Sequence, residues 1–251
     1  MGRVTATDRR TVLLATAGLT LAAGCATRSA VAHPAPSSAG SAPLHSAGSA
    51  PPLPAQLTHG PRDRPRVALT FHGGGDPATA RALLTEAERR GARLTVLAVG
   101  TWLDTHPELA RRILDGGHDL GNHTLSHLDI NAMSEAEARQ EITGCAERIR
   151  RLTGSVGTWF RPSRTPTASP LVTRLAQEAG YPHVLSYDVD SLDFTSPGAA
   201  AVARKVLAEI REGSVVSLHF GYADTVAALP VVLEELDRRG LAAVTTTELF
   251  S

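Results

Sequence analysis

The feature that most constrains the fold is a repeated alternation of strand and helix patterns, which runs from Arg66 to the end of the chain. Short β-branched or apolar runs alternate seven times with segments of helical periodicity. This order is typical of an α/β fold built on a parallel sheet, and we predict that fold class. The predicted strands are residues 67–71, 94–99, 118–121, 158–160, 183–187, 214–218 and 242–245.

The first 25 residues have the pattern of an export signal. Arg9 and Arg10 precede an almost uncharged apolar stretch at 11–23, which is shorter than the about 20 residues of a membrane-spanning helix. The stretch ends in Leu-Ala-Ala-Gly-Cys, which is similar to a bacterial lipobox and implies that Cys25 is lipidated. We therefore expect an exported protein with a lipid anchor on the outer face of the cell membrane. The paired arginines fit twin-arginine export as well as the ordinary secretory route, and both remain open.

Composition divides the rest of the chain. Ala, Pro, Ser and Gly fill most of residues 26–64, which predicts a flexible tether, and the folded domain is predicted over 65–251.

The 25 basic and 25 acidic residues cancel, so a nucleic-acid partner is not expected. Two cysteines cannot form a disulfide framework, and Cys145 is predicted in the core on a helix. We expect a monomer.

Polar side chains collect where the predicted strands end, which is where parallel α/β barrels form their active sites. These residues are His72, Asp76, Asn122, His123, His127, Arg161, Asp188, Asp190, Asp193 and His219. His123 and His127 are four residues apart, and imidazoles at this spacing can bind one zinc-like ion if a third ligand is present.

Four short segments carry a family resemblance. They are Gly-Asn-His-Thr-Leu-Ser-His at 121–127, Phe-Arg-Pro at 160–162, Asp-Ser-Leu-Asp-Phe at 190–194 and Ser-Leu-His at 217–219. Together they resemble four of the five motifs of polysaccharide deacetylases of the NodB-homology type, carbohydrate esterase family 4, over residues 65–251. The resemblance implies a distorted (β/α)7 barrel. It also implies a divalent metal ion and a hydrolase that removes N-acetyl groups from N-acetylglucosamine in peptidoglycan, chitin or related glycans.

The same resemblance implies roles for individual residues. His123 and His127 would bind the metal, which we expect to be zinc although cobalt or another ion stays open. Arg161 would orient the catalytic base, and His219 would be the general acid, with Asp190 as the carboxylate that raises its pKa. Sugar rings commonly stack on aromatic side chains, and the aromatic residues expected at the rim and assigned to substrate binding are Trp102, Phe194 and Tyr222.

The first motif departs from the family. This chain has Thr-Phe-His-Gly-Gly-Gly-Asp at 70–76 where the family has Thr-Phe-Asp-Asp-Gly, so the base aspartate and the metal-binding aspartate are both replaced. Asp76 could fold back across three permissive glycines to bind the metal. Alternatively, His72 could complete a three-histidine site. His72 could also act as the base, since an unperturbed imidazole has a pKa of about 6.5.

These observations favour a metal-dependent glycan N-deacetylase. The alternative is a catalytically impaired relative that serves as a surface glycan-binding module, which the loss of both aspartates favours. The retention of His219 and Arg161 favours the enzyme. A phosphate-binding loop at the three glycines is disfavoured because no Gly-Lys-Ser/Thr follows.

Overall fold

The computed structural model describes residues 53–251. The predicted signal peptide, the lipidation of Cys25 and the tether up to residue 52 lie outside the described residues and stay predictions. Within the described part, no helix is both long and apolar enough to cross a membrane.

A parallel sheet forms the centre of the domain. Its described strands are β1 Gln56–Leu57, β2 Arg66–Gly73, β3 Thr95–Ala98, β4 Asp119–Asn122, β5 Val184–Leu185, β6 Val189–Asp190, β7 Val215–His219 and β8 Ala242–Ala243. The main path runs β4-β3-β2-β7-β6, β8 pairs with the start of β2, and β1 pairs with β5. Single bridges from Asn122 to Phe160 and from Phe160 to Val184 link β4 to β5. The predicted α/β fold with a parallel sheet is confirmed.

Helices connect the strands and begin where capping chemistry allows. They are α1 Pro77–Arg89, α2 Gly100–Thr105, α3 Glu108–Asp115, α4 Glu135–Thr153, α5 Pro170–Glu178, α6 Ala199–Glu209, α7 Ala223–Arg238 and α8 Thr246–Leu249. Ser134 and Glu137 form a reciprocal capping box at the start of α4. Pro77 and Pro170 occupy first-turn positions, where a missing N–H removes no helix hydrogen bond.

Two predicted strands differ from the structure. Residues 158–160 pair as a strand only at Phe160. Of the predicted strand 183–187, only β5 at Val184–Leu185 is observed, and β6 follows separately at Val189–Asp190. The break lies at Asp188, whose carboxylate accepts hydrogen bonds from the Val215 N–H and the Ser214 hydroxyl. These hydrogen bonds join the segment after β5 to the start of β7, so the predicted strand ends at Leu185 and a separate short strand, β6, begins at Val189.

The folded domain begins earlier than residue 65. Leu57 in β1 is buried beside Leu185 and Val215, and the Gly60 N–H donates to the Gly213 carbonyl at 2.8 Å. Arg62 binds the Asp188 carboxylate at 2.8 Å. The prediction that the tether extends to residue 64 is therefore wrong for residues 53–64, because an apolar residue and a long cation give this short segment specific partners.

The main hydrophobic core packs β2, β3 and β7 against helices that include α1, α6 and α7. Cys145 lies on α4 and is fully buried in this core, as predicted. Burial raises the pKa of its thiol to about 12, so Cys145 is not a nucleophile at neutral pH.

Candidate active site and metal centre

Four histidines meet at the carboxyl ends of the strands. β2 and β7 pair with His72 opposite His219, and His123 and His127 follow β4. The ring centroid of His72 lies 4.0 Å from that of His123 and 4.2 Å from that of His219, and His123 and His127 are 4.8 Å apart. The predicted convergence of these four side chains is observed.

Three of the imidazoles are arranged as a ligand set. One ring nitrogen each from His72, His123 and His127 lies within 4.8 Å of the others. Both ring nitrogens of His72 and the Nε2 of His123 are buried without a hydrogen-bond partner. Buried polar atoms without partners are costly and therefore uncommon. These orphaned nitrogens are the observation that points to a bound cation.

The surroundings keep these imidazoles neutral, which is the form that binds metal ions. Burial, followed by the charges of neighbouring side chains, lowers the pKa of His72 and of His123 well below 6.5. Burial and then the Arg164 charge also lower the pKa of His127. The Arg161 carbonyl lies 3.0 Å from His123 Nδ1, so Nδ1 carries the proton and the Nε2 lone pair is free.

The three imidazoles fit zinc and similar divalent ions. Zn–N bonds of about 2.0–2.1 Å place tetrahedral ligand atoms about 3.4 Å apart. The nitrogen separations in the cluster, which are at most 4.8 Å, would therefore have to shorten by at most about 1.4 Å. The chemical type, the protonation state and the proximity of the donors all suit the ion.

Asp76 does not join this cluster. Its carboxylate accepts a hydrogen bond from the Ala78 N–H at 2.8 Å and caps the first turn of α1, and the side chain is exposed. The prediction that Asp76 is a metal ligand is therefore wrong. The free N–H groups at a helix start are the nearer partners for an aspartate placed immediately before Pro77.

Gly73 stands where the resembled motif has its metal-binding aspartate, and the structure leaves no space there for a side chain. A Cβ atom added at Gly73 would lie 2.9 Å from Val96 Cγ1 and 3.0 Å from Ala98 Cα, closer than side chains normally approach. Neighbouring strand β3 thus occupies the space of a side chain at this position. Within the rewritten motif, His72 is the residue that reaches the cluster.

His219 pairs with Asp193 and not with Asp190. The His219 Nδ1–H donates to Asp193 at 2.6 Å, and the same carboxylate accepts the His219 backbone N–H and the Thr225 hydroxyl at 2.8 and 2.6 Å. Asp193 is fully buried, whereas Asp190 accepts the Leu192 N–H and lines the open cavity. The predicted role of Asp190 is corrected to Asp193, which the sequence had placed in the same polar group but could not orient.

Arg161 is fully buried but does not hold a catalytic base. Its guanidinium donates to the Thr70 hydroxyl at 2.8 Å and to the carbonyls of Leu185 and Ser186. No carboxylate of the described residues pairs with it, and burial lowers its pKa to about 10. Arg161 therefore braces the turn after β5, and its charge contributes to the low pKa of His72.

Two adjoining cavities flank the histidines, with volumes of about 340 and 720 Å³. His72, His127, His219 and Tyr222 line both. Phe194 lines the smaller cavity and Trp102 the larger, so the three aromatic residues expected near the substrate are all present.

The sequence did not assign Arg164 to the site. Arg164 lines the smaller cavity, and its backbone has a positive φ of 58°. Thr124 and His127 also have positive φ angles, of 68° and 55°. Non-glycine residues in this conformation carry strain, and such residues cluster at functional sites. Its sequence signal is the Ser163-Arg164 pair that follows Phe-Arg-Pro at 160–162, where the resembled motif usually has proline and tyrosine.

The cluster of imidazoles and the His219–Asp193 pair lie at the carboxyl ends of the strands, which is where parallel α/β barrels place their active sites. Residues 59–184 match the family model described as polysaccharide deacetylase, and the chain belongs to this family.

Relatives and solved structures agree with this assignment. The chain is 31% identical over 194 residues to a peptidoglycan-N-acetylglucosamine deacetylase of Bacillus cereus, covering 76% of this chain and 90% of the relative. A solved peptidoglycan N-acetylglucosamine deacetylase superposes with a TM-score of 0.73 at 26% identity, covering 78% of this chain and 92% of that one. A family 4 pseudoenzyme from Bacillus anthracis superposes with a TM-score of 0.75 at 22% identity, covering 79% and 70% of the two chains, which shows the shared fold alone. The predicted (β/α)7 barrel is confirmed by these family structures.

Proposed function

We propose that this protein is a metal-dependent hydrolase that removes N-acetyl groups from an N-acetylglucosamine-containing polysaccharide, with His72, His123 and His127 as metal ligands. The observation that carries the proposal is the set of buried, unpartnered imidazole nitrogens within 4.8 Å of one another. The name of the Bacillus cereus relative supports peptidoglycan as the substrate.

A divalent ion at this site would polarise the acetyl carbonyl and lower the pKa of a bound water towards neutrality. With His72 engaged as a ligand, His219 is the group left to transfer protons. Asp193 holds the His219 ring through Nδ1, and Nε2 has no partner among the described residues. Nε2 can accept the proton of the attacking water and return it to the leaving amine. The ring centroids of Phe194 and Tyr222 lie 5.5 and 5.8 Å from that of His219, and these two side chains would position the sugar.

The test measures metal content and acetate release on the same protein. Purified protein supplied with zinc or cobalt should bind about one ion per chain and release acetate from peptidoglycan or chitin oligomers. His72→Ala should lose both, whereas His106→Ala should keep both, because His106 lies outside the cluster. Absence of bound metal and of acetate release in the parent protein would overturn the proposal.

A glycan-binding module without activity is the second candidate. It is favoured by the replacement of both first-motif carboxylates and by the closed space at Gly73. His219→Ala separates the two candidates, since loss of a proton-transfer group lowers turnover by about 10²–10⁴-fold and spares binding. A binding module would release no acetate with or without His219.

We also propose that the protein is exported and anchored through a lipid on Cys25, acting as a monomer on the cell-wall side of the membrane. The support is the sequence of residues 1–25.

A further inference from the structure

We infer that Glu141 is a positioning residue for His127. From α4, its buried carboxylate holds the Ser126 N–H and thereby fixes the loop 124–127 in the conformation that turns His127 towards the other imidazoles. The inference rests on the proposed function, because it takes His127 as a metal ligand, and it adds a residue that lies outside the four motif segments.

The loop that carries His127 has a strained backbone. Thr124 and His127 both lie in the left-handed region, with φ angles of 68° and 55°. This region is unfavourable for residues other than glycine, and such conformations persist only where the surroundings hold them. The contacts made to this loop therefore decide whether His127 stays beside the cluster.

The first half of the loop is held by backbone contacts and packing. The Gly100 and Thr101 N–H groups at the start of α2 donate to the Thr124 and Leu125 carbonyls, both at 2.9 Å. The Leu125 side chain packs against α4, where a Cβ atom added at Gly144 would lie 3.0 Å from Leu125 Cδ2. These contacts end at Leu125, two residues before the ligand.

Glu141 holds the second half of the loop. Its carboxylate accepts the Ser126 N–H at 2.7 Å, immediately before His127, and the side chain is only 7% exposed. Ser126 is its one hydrogen-bond partner among the described residues, and no cationic side chain there forms an ion pair with it. Burying a carboxylate is costly, and a hydrogen bond that ends on one is about twice as strong as a neutral one. This buried carboxylate therefore serves one contact, and that contact fixes the ligand loop.

Fixing the loop affects metal affinity through preorganisation. The apparent dissociation constant of a ligand rises in inverse proportion to the fraction of molecules in the binding conformation. Without its acceptor, the Ser126 N–H would turn to water and the loop would relax from the strained conformation. The ion would then have to restore the position of His127 at the expense of affinity.

The test uses the full chain and a matched pair of variants. Glu141→Gln keeps an oxygen that can accept the Ser126 N–H, whereas Glu141→Met has a similar length and helix propensity but no such acceptor. Zinc titrated into metal-free protein against a competing chelator gives the dissociation constant. It should rise by about tenfold or more in Glu141→Met, as is typical for groups that orient metal ligands, and by much less in Glu141→Gln. Glu147→Met changes an exposed residue of the same helix and should bind zinc as the parent protein does.

A second measurement needs no metal. Amide hydrogen exchange in the metal-free protein reports the Ser126 hydrogen bond directly. The Ser126 amide should exchange about tenfold faster in Glu141→Met than in the parent protein, as expected for the loss of one hydrogen bond to a carboxylate. The amides of β2 should keep their protection, which separates release of the loop from unfolding of the domain.

Three results would overturn the inference. They are an unchanged zinc dissociation constant in Glu141→Met, an equal weakening in Glu141→Gln and Glu141→Met, and unchanged exchange of the Ser126 amide in Glu141→Met. If the parent protein binds no metal, the proposed function fails, and the exchange measurement still decides whether Glu141 holds the loop.

Discussion

At the residue scale, Asp193 and Asp190 show how similar side chains in one segment acquire different roles. Asp193 is buried and accepts three hydrogen bonds, two of them from His219, whereas Asp190 lines the cavity. Only Asp193 can fix the His219 tautomer and stabilise its protonated form.

The Asp193→Asn variant should therefore lose about 100-fold or more in kcat, because an amide does not stabilise the protonated imidazole. Asp190→Asn should change kcat much less. Steady-state acetate release measures both, with folding checked by circular dichroism. A larger loss in Asp190→Asn than in Asp193→Asn would contradict the assignment.

Gly73 and Gly74 offer a matched pair at the end of β2. A Cβ atom at Gly73 would press on Val96 and Ala98, whereas one at Gly74 meets nothing within 4 Å. Gly73→Ala should lower the free energy of unfolding by about 1–3 kcal/mol, the usual cost of overpacking, and Gly74→Ala should cost less. Denaturant unfolding measures the difference between the two variants. Equal decreases in the free energy of unfolding would show that β3 moves to accommodate the added methyl group.

The histidines of the site were predictable, and their partners were not. His72, His123, His127 and His219 follow strands, and parallel strands bring their carboxyl ends together. Whether an aspartate in a loop reaches the metal or caps a helix depends on loop conformation, which periodicity does not encode. The Asp76 carboxylate accordingly caps the start of α1 and does not reach the histidine cluster.

At the element scale, the segment before β2 belongs to the domain. β1 adds a strand to β5, and Leu57 is buried. Residues 53–64 were predicted as tether because a two-residue strand has no hydrophobic periodicity, and because their composition is similar to that of the preceding residues. The long elements were predicted from periodicity, whereas β1, β5 and β6 depend on contacts with distant residues.

A chain that starts at residue 65 should be less stable than one that starts at residue 53. Losing the buried Leu57 side chain alone removes about 1.5–3 kcal/mol, and the partly exposed Arg62–Asp188 pair adds little. Urea unfolding of the two chains measures the difference. Equal stability would mean that residues 53–64 are dispensable.

At the scale of the whole molecule, the neutral histidines link stability to pH. In the metal-free folded protein, His72 and His123 have pKa values well below 6.5. The unfolded chain protonates the same imidazoles near 6.5, so below that pH the unfolded state binds more protons. The free energy of unfolding should therefore fall as the pH drops below 6.5, by up to about 1.4 kcal/mol per pH unit for each imidazole.

Chelator-treated protein unfolded between about pH 7.5 and pH 5.5 measures this slope. Replacing His72 and His123 together by Gln should make it shallower, and the slope that is left comes from other imidazoles such as His127, whose pKa burial also lowers. A stability that is independent of pH in the parent protein would contradict the burial of neutral imidazoles.

The proposed anchor concerns the chain as a whole. Cys25→Ser removes the acceptor thiol, so the protein should move from the membrane fraction to the soluble fraction of bacteria that express it. Cys145→Ser is the matched control for fractionation, because Cys145 is buried in the core. An unchanged membrane fraction after Cys25→Ser would contradict lipidation at this residue.

The most direct test of the metal centre is an anomalous-scattering map from crystals of the protein grown with zinc. The map should show one ion bonded to nitrogens of His72, His123 and His127, at about 2.0–2.1 Å from each. An ion held by His123 and His127 with His72 turned away, or an ion bound by Asp76, would contradict the three-histidine site.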